Sequence, residues 1–129
     1  MREIKFRGLT KGVKNDYIWV YGFLATFHTI LVIKENFGPS YEIKRKSVGE
    51  YTGIKDYEGK EIYEGDIVEK DFMEPWLDDS KLIGVVEMIE GCWCVVNDKK
   101  KVAKNLWSET DVNRVIGNVY ENKNLLEVK

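Results

Sequence analysis

Apolar and polar residues alternate with period two along most of this chain, the pattern of strands with one buried face. Ile4 and Phe6 alternate with Glu3, Lys5 and Arg7, which predicts a first strand within residues 1–8. A polar turn from Gly8 to Asp16 follows. The pattern then changes, because Tyr17 to Ile33 contains no Asp, Glu, Lys or Arg. This run is apolar at odd positions (Tyr17, Trp19, Tyr21, Phe23) and at even ones (Ile18, Val20, Leu24). Its aromatic and β-branched residues favour two strands, about 17–24 and 28–34, turning near Ala25–Phe27. His28 then falls at a hairpin end, in a structural role. A spanning helix needs about 20 apolar residues, and Gly22, Thr26, His28 and Thr29 interrupt this run. Glu3 and Asp16 ahead of it, with no small-residue cleavage motif behind it, also argue against a signal peptide.

Asn36-Phe37-Gly38-Pro39-Ser40 is a turn signal, and Tyr41 to Lys46 reads as a short strand. From Ser47 to Glu69 the glycines Gly49, Gly53, Gly59 and Gly65 punctuate short apolar runs. Tyr57-Glu58-Gly59-Lys60 has the form of a tight hairpin turn, and Glu64-Gly65-Asp66 of a bend feeding a strand at Ile67. Asp71 to Lys81 is an acidic loop carrying Phe72, Met73 and Trp76. Ile83–Ile89 and Cys92–Val96 read as a hairpin turning at Glu90-Gly91. Asp98 to Lys101 forms a charged turn, while the spacing of Val102, Ala103, Leu106 and Trp107 predicts one or two helical turns. A last strand falls within Asp111–Tyr120. Asn122 is placed to cap a final short helix whose Leu125 and Leu126 pack back. The glycine rhythm is that of a small, strongly curved barrel over residues 47–129, with residues 1–46 as an N-terminal β-hairpin lobe.

Charge changes this picture little. Twenty basic and 22 acidic residues leave a formal charge of −2, neither the basic excess of a dedicated duplex binder nor the acid excess of a nucleic-acid mimic. The densest basic cluster before the glycine-rich stretch, Lys44, Arg45 and Lys46, suits a solvated edge strand or phosphate contact. With Phe72 and Trp76 of the acidic loop, these residues are the candidate partner-binding positions. Cys92 and Cys94, the only cysteines, share one face of a strand. A disulfide between them would close an unusually tight loop, so reduced thiols in a cytoplasm are expected, at least one of them buried. Two cysteines and one distant histidine are too few ligands for tetrahedral zinc. One histidine in a buried hairpin gives a Ser or Cys nucleophile little to work with, and no phosphate-binding glycine motif occurs. The residues therefore point to no enzyme and no cofactor.

YTGIKDYEGKEIYEGDIVE, residues 51–69, resembles the signature of the YopX family, small proteins encoded by phages and prophages of Gram-positive bacteria. Met1-Arg2-Glu3-Ile4-Lys5-Phe6-Arg7-Gly8, Ile83-Gly84-Val85-Val86-Glu87 and Val115-Ile116-Gly117-Asn118-Val119-Tyr120-Glu121-Asn122 resemble further family blocks, in order. The resemblance implies a mainly β fold with an SH3-like barrel and offers no catalytic residues to carry over. The expected role is a non-catalytic accessory protein of the host cytoplasm, acting by binding or assembly. A nucleic-acid-associated small-barrel module is the rival. The two-faced apolar run at Tyr17–Ile33 demands cover on both sides. Either another copy of the chain supplies it or residues 1–46 fold over themselves.

Overall fold

Eleven strands and two short 3-10 turns make up the computed structural model, which describes residues 3–11, 17–72 and 81–127. The strands are β1 (Phe6–Leu9), β2 (Trp19–Phe27), β3 (Ile30–Lys34), β4 (Ser40–Glu42), β5 (Gly49–Lys55), β6 (Glu61–Tyr63), β7 (Asp66–Asp71), β8 (Lys81–Ile89), β9 (Cys92–Asn97), β10 (Val102–Asn105) and β11 (Val112–Asn118). The mainly β expectation thus holds. Two compact units follow one another along the chain, Met1–Gly53 and Ile54–Lys129.

In the first unit the strands run in the order β4-β3-β2-β1-β5. β2 pairs with β1 through Trp19–Gly22 and with β3 through Phe23–Phe27, so it changes partners at Gly22. The even positions Val20 and Leu24 point into a small core with Ile33 and Ile43, against which Phe6, Leu31, Tyr41 and Val48 pack. The sheet curls until Thr10 bridges Ile43, with Lys11 N donating to Glu42 O and Lys44 N to Leu9 O. That single bridge is not a ladder, so the curled sheet is no closed barrel. The β2–β3 turn lies at His28-Thr29, later than the alternation suggested. His28 takes a left-handed φ of 58° there, its ring edge-on to Phe27. The basic cluster also differs from expectation. β4 ends at Glu42, and Arg45–Ser47 wind into a 3-10 turn instead of extending the strand.

The second unit orders its sheet β10-β9-β8-β7-β11. Ile62, Val68, Leu82, Val86, Val95 and Leu106 form its core, with Ile54, Phe72 and Trp93 packed against them. The edge strands β10 and β11 do not pair with each other, so this sheet is open too. Gly59 and Gly65 hold φ of 87° and 91° at the two turns read from the glycine spacing, a region that glycine enters without a Cβ penalty. Residues 102–105 form β10 and not a helical turn. Pairing of Val102 with Asn97 and Asn105 with Cys94 supplies a ladder that outweighs the local spacing. Asn122 directly precedes the final 3-10 turn, Lys123–Glu127, where its backbone oxygen accepts from Leu125 N and its side-chain oxygen from Asn118 N.

A charge is buried in this second core. Lys70 has no exposed surface, yet its ammonium donates to Leu106 O at 3.0 Å and lies 3.4 Å from Asp111 Oδ2. Burial pulls its pKa below the ordinary lysine value, and Asp111 pulls it back up. Asn113 Nδ2 also donates to Leu106 O, so that carbonyl keeps a partner without Lys70. Lys70→Met is therefore expected to cost at most about 1 kcal/mol, while Asp111→Ala, which leaves the buried ammonium its bond to Leu106 O but no counter-charge, costs about 3 kcal/mol. Urea denaturation of the two variants measures the difference. The reverse ranking would show that the pair holds the fold through attraction alone.

Candidate functional site

Alternation along β2 sends its even residues inward and its odd residues outward. Directly opposed residues in an antiparallel pair share a face. The outer face of the first unit is therefore built from Trp19 opposite Leu9, Tyr21 opposite Arg7, Phe23 opposite Lys34, Ala25 opposite Val32 and Phe27 opposite Ile30. Tyr21 is 44% exposed, Phe23 59%, Phe27 65% and Ile30 39%. Together these four leave on the order of 400 Å² facing water, within the range of the largest apolar patch on a typical soluble monomer, where such patches are often functional.

The cations on and beside this face are engaged within the unit. The Arg7 guanidinium lies 4.6 Å from the Trp19 ring centroid, a cation–π stack that keeps Arg7 buried. Lys34 Nζ donates to Gly38 O at 2.9 Å and reaches Glu35 O at 3.4 Å. This braces the β3–β4 turn, where Gly38 N also donates to Glu35 O and Glu35 N to Pro39 O. At the tip of that turn Phe37 is 98% exposed, with a left-handed φ of 61°.

The residues singled out from the sequence are scattered by comparison. Lys44 sits with its ammonium 3.5 Å from the Tyr17 ring centroid. Arg45 Nη2 donates to Thr29 O at 3.1 Å, and Lys46 lies exposed in the same 3-10 turn. Phe72 is half-buried against the second unit's core, and Trp76 lies outside the described residues. The structure brings Lys44, Arg45 and Lys46 together at one turn and places Phe72 in the other unit. Sequence reading missed Phe27, Ile30 and Phe37. The signal for the first two was on view, an apolar run lacking charge on either parity, but the alternation put Phe27 in the turn.

Two concavities mark the second unit. Tyr57, Glu69, Asp71, Lys81, Val112 and Arg114 line an open groove of about 380 Å³. Its charges answer one another. Glu69 lies 3.6 Å from Lys81, and a hydrogen bond with Tyr57 holds the Arg114 pKa above its ordinary value. The other is a hollow of about 230 Å³ lined by Val85, Val96, Asn97, Asp98, Lys99 and Leu126. Near it the Glu87 carboxyl is pushed above the usual range, first by desolvation and then by the charges of Asp98 and Glu64.

Among the described residues no three His, Cys, Asp or Glu side chains gather to hold a metal ion. Cys94 is buried and Cys92 exposed, both as free thiols, and burial raises the Cys94 pKa with Cys92 adding to it. No described helix is long and apolar enough to cross a membrane. Against known families, a model described as YopX protein matches residues 14–127. No curated protein matches the chain.

Proposed function

The chain belongs to the YopX family, and we propose that it is a non-catalytic assembly module of phage or prophage origin, working in the bacterial host cytoplasm and joining to further copies of itself through the outer face of its first unit. The observation that carries this reading is the row of exposed rings, Tyr21, Phe23 and Phe27, on a sheet whose other face already holds a complete core. Eight of the thirteen exposed large hydrophobics among the described residues lie in this unit. A face so apolar, whose own cations already stack or bridge within the unit, suits a protein surface better than a phosphate chain. Its area is about half of the roughly 800 Å² that each partner buries in a standard interface. The association is accordingly weak and concentration-dependent.

Light scattering coupled to size exclusion tests this reading. The mass is expected to rise above the 15.1 kDa of one chain as concentration increases into the micromolar range. The double variant Phe23→Ser, Phe27→Ser should stay at one chain throughout. A wild-type protein that holds at one chain at every concentration overturns the proposal.

One observation favours a second reading. Residues 1–53 carry nine basic and five acidic side chains, an excess of four positive charges. A nucleic-acid role predicts retention on single-stranded DNA that weakens steeply with salt. Such retention, lost in the Phe23→Ser, Phe27→Ser variant, would assign the aromatic face to base stacking.

A further inference from the structure

Four lysines of the second unit stand without a counter-charge. Lys99, Lys100 and Lys101 lie in the turn between β9 and β10, and Lys104 follows in β10. All four are exposed, and among the described residues none of their ammoniums meets a carboxylate, a carbonyl or a ring. Lys44 and Arg45 of the first unit are, by contrast, held by the Tyr17 ring and by Thr29 O. From Asp98 to Trp107 the one carboxylate is Asp98. Residues 54–129 hold 11 basic and 17 acidic side chains, so outside that segment seven basic face 16 acidic. A polyanion approaching this unit is drawn to the β9–β10 hairpin and repelled elsewhere.

The turn is fixed in place. Asn97 Nδ2 donates to Ile83 O at 2.8 Å and its Oδ1 accepts from Lys100 N at 2.9 Å, which pins the turn to β8. β10 is an edge strand and pairs with β9 alone. Val95 and Leu106 point into the core, so Ala103 and Asn105, opposite Val96 and Cys94, face outward. Trp107 has the same parity and is 61% exposed. Lys101 and Trp107 are six residues of extended chain apart, about 20 Å. On the outward parity between them stand only the short side chains of Ala103 and Asn105, while Lys104 is exposed at the open edge. Glu87, opposite Cys94, and Glu109, beyond Trp107, bound this shelf. Lysines also guard open strand edges against stray pairing. Guarding accounts for Lys104, but not for three lysines in a turn or for an exposed indole beside the edge.

We infer that this edge binds single-stranded nucleic acid, with phosphates on Lys99, Lys100, Lys101 and Lys104 and one base stacked on Trp107. Ammonium groups pair with phosphate without reading sequence, and an indole stacks on any unpaired base. A duplex keeps its bases stacked on each other, and an acidic peptide answers the charge while leaving the indole unused. The site lies in the second unit, apart from the aromatic face, and does not depend on self-association.

Fluorescence anisotropy of a labelled oligothymidine of about ten nucleotides, titrated with the full-length protein, tests this. The expected Kd is on the order of 10 μM at about 0.05 M salt. Log affinity should fall against log salt with a slope of about −3, at about 0.7 per phosphate contact. Lys100→Gln with Lys104→Gln should bring the slope to about −1.5 and weaken binding at low salt at least about tenfold. Trp107→Ala should weaken binding about fivefold or more and leave the slope unchanged.

No saturable binding below about 1 mM overturns the inference. So does a lysine variant with the wild-type slope, or a Trp107→Ala variant with the wild-type affinity. Polyglutamate of matched length that displaces the oligonucleotide at equal concentration would make charge the sole determinant and overturn it too. Binding kept by both variants and lost in Phe23→Ser, Phe27→Ser would assign the nucleic acid to the first unit instead. Light scattering of the wild type reads assembly separately, so either conclusion can fall while the other stands.

Discussion

Asp56→Ala is expected to cost at least about 3 kcal/mol and to lower the melting temperature by roughly 10 °C. Asp56 is 7% exposed and makes no ion pair among the described residues; its carboxylate organises backbone instead. Oδ1 accepts from Glu58 N at 3.0 Å and Lys60 N at 2.8 Å, which shapes the β5–β6 turn around Gly59. Oδ2 accepts from Val115 N at 3.0 Å, tying that turn to β11 across 59 residues of sequence. Alanine leaves three N–H groups without their acceptor, each costing about 1 kcal/mol or more when water cannot reach it. Asp56→Asn separates the two roles. Its oxygen can serve the turn, while its NH₂ would face the Val115 N–H, donor against donor. The asparagine variant should therefore fall between alanine and wild type in urea denaturation. An alanine variant within about 0.5 kcal/mol of wild type would show that these hydrogen bonds are replaced by water without loss.

Gly22→Ala should be worse tolerated than its small size suggests. A Cβ at Gly22 would lie 2.1 Å from Lys34 O, 2.9 Å from Lys34 C and 3.1 Å from Glu35 Cα. All three are backbone atoms, so no rotamer change relieves the clash. The residue sits where β2 leaves β1 for β3, and the two neighbouring strands must approach closely there. The expected loss is about 2–4 kcal/mol, concentrated in the first unit. Gly59→Ala is the matched comparison. Gly59 has φ of 87°, but a methyl group there would meet nothing within 4 Å, so only backbone strain of about 1 kcal/mol remains. Hydrogen exchange read separately over β2–β3 and over β5–β6 distinguishes the cases. Equal effects at the two glycines would mean that the strand crossing opens at little expense.

These two residues also show where sequence reading reaches and where it stops. Gly59 and Gly65 announced their turns because positive φ is a local property of a residue without Cβ, and both turns appear where they were read. Gly22 looked like an interruption of an apolar run. Its constraint comes from the backbone of Lys34 and exists only once β2 and β3 are paired. The Glu90-Gly91 turn was equally local, with φ of 47° and 84°.

The same division governs the surface. Period-two alternation determined the strands, and the absence of charge from Tyr17 to Ile33 marked that run as apolar on both faces. Alternation gives parity without saying which parity is buried. Packing of Val20 and Leu24 against Ile33 and Ile43 made that choice and left Tyr21, Phe23 and Phe27 outside. The basic cluster was visible as composition, but the 3-10 turn that directs Arg45 to Thr29 O was not. Residues 102–105 carried helical spacing, and β9 took them into its ladder because pairing satisfies backbone groups that one isolated helical turn leaves open. Local steric preference and periodicity thus set the turns and strands of this protein from its sequence alone. Partner choice, burial of one face over the other and the charge of Lys70 inside a core depend on contacts between distant residues, which only the tertiary structure decides.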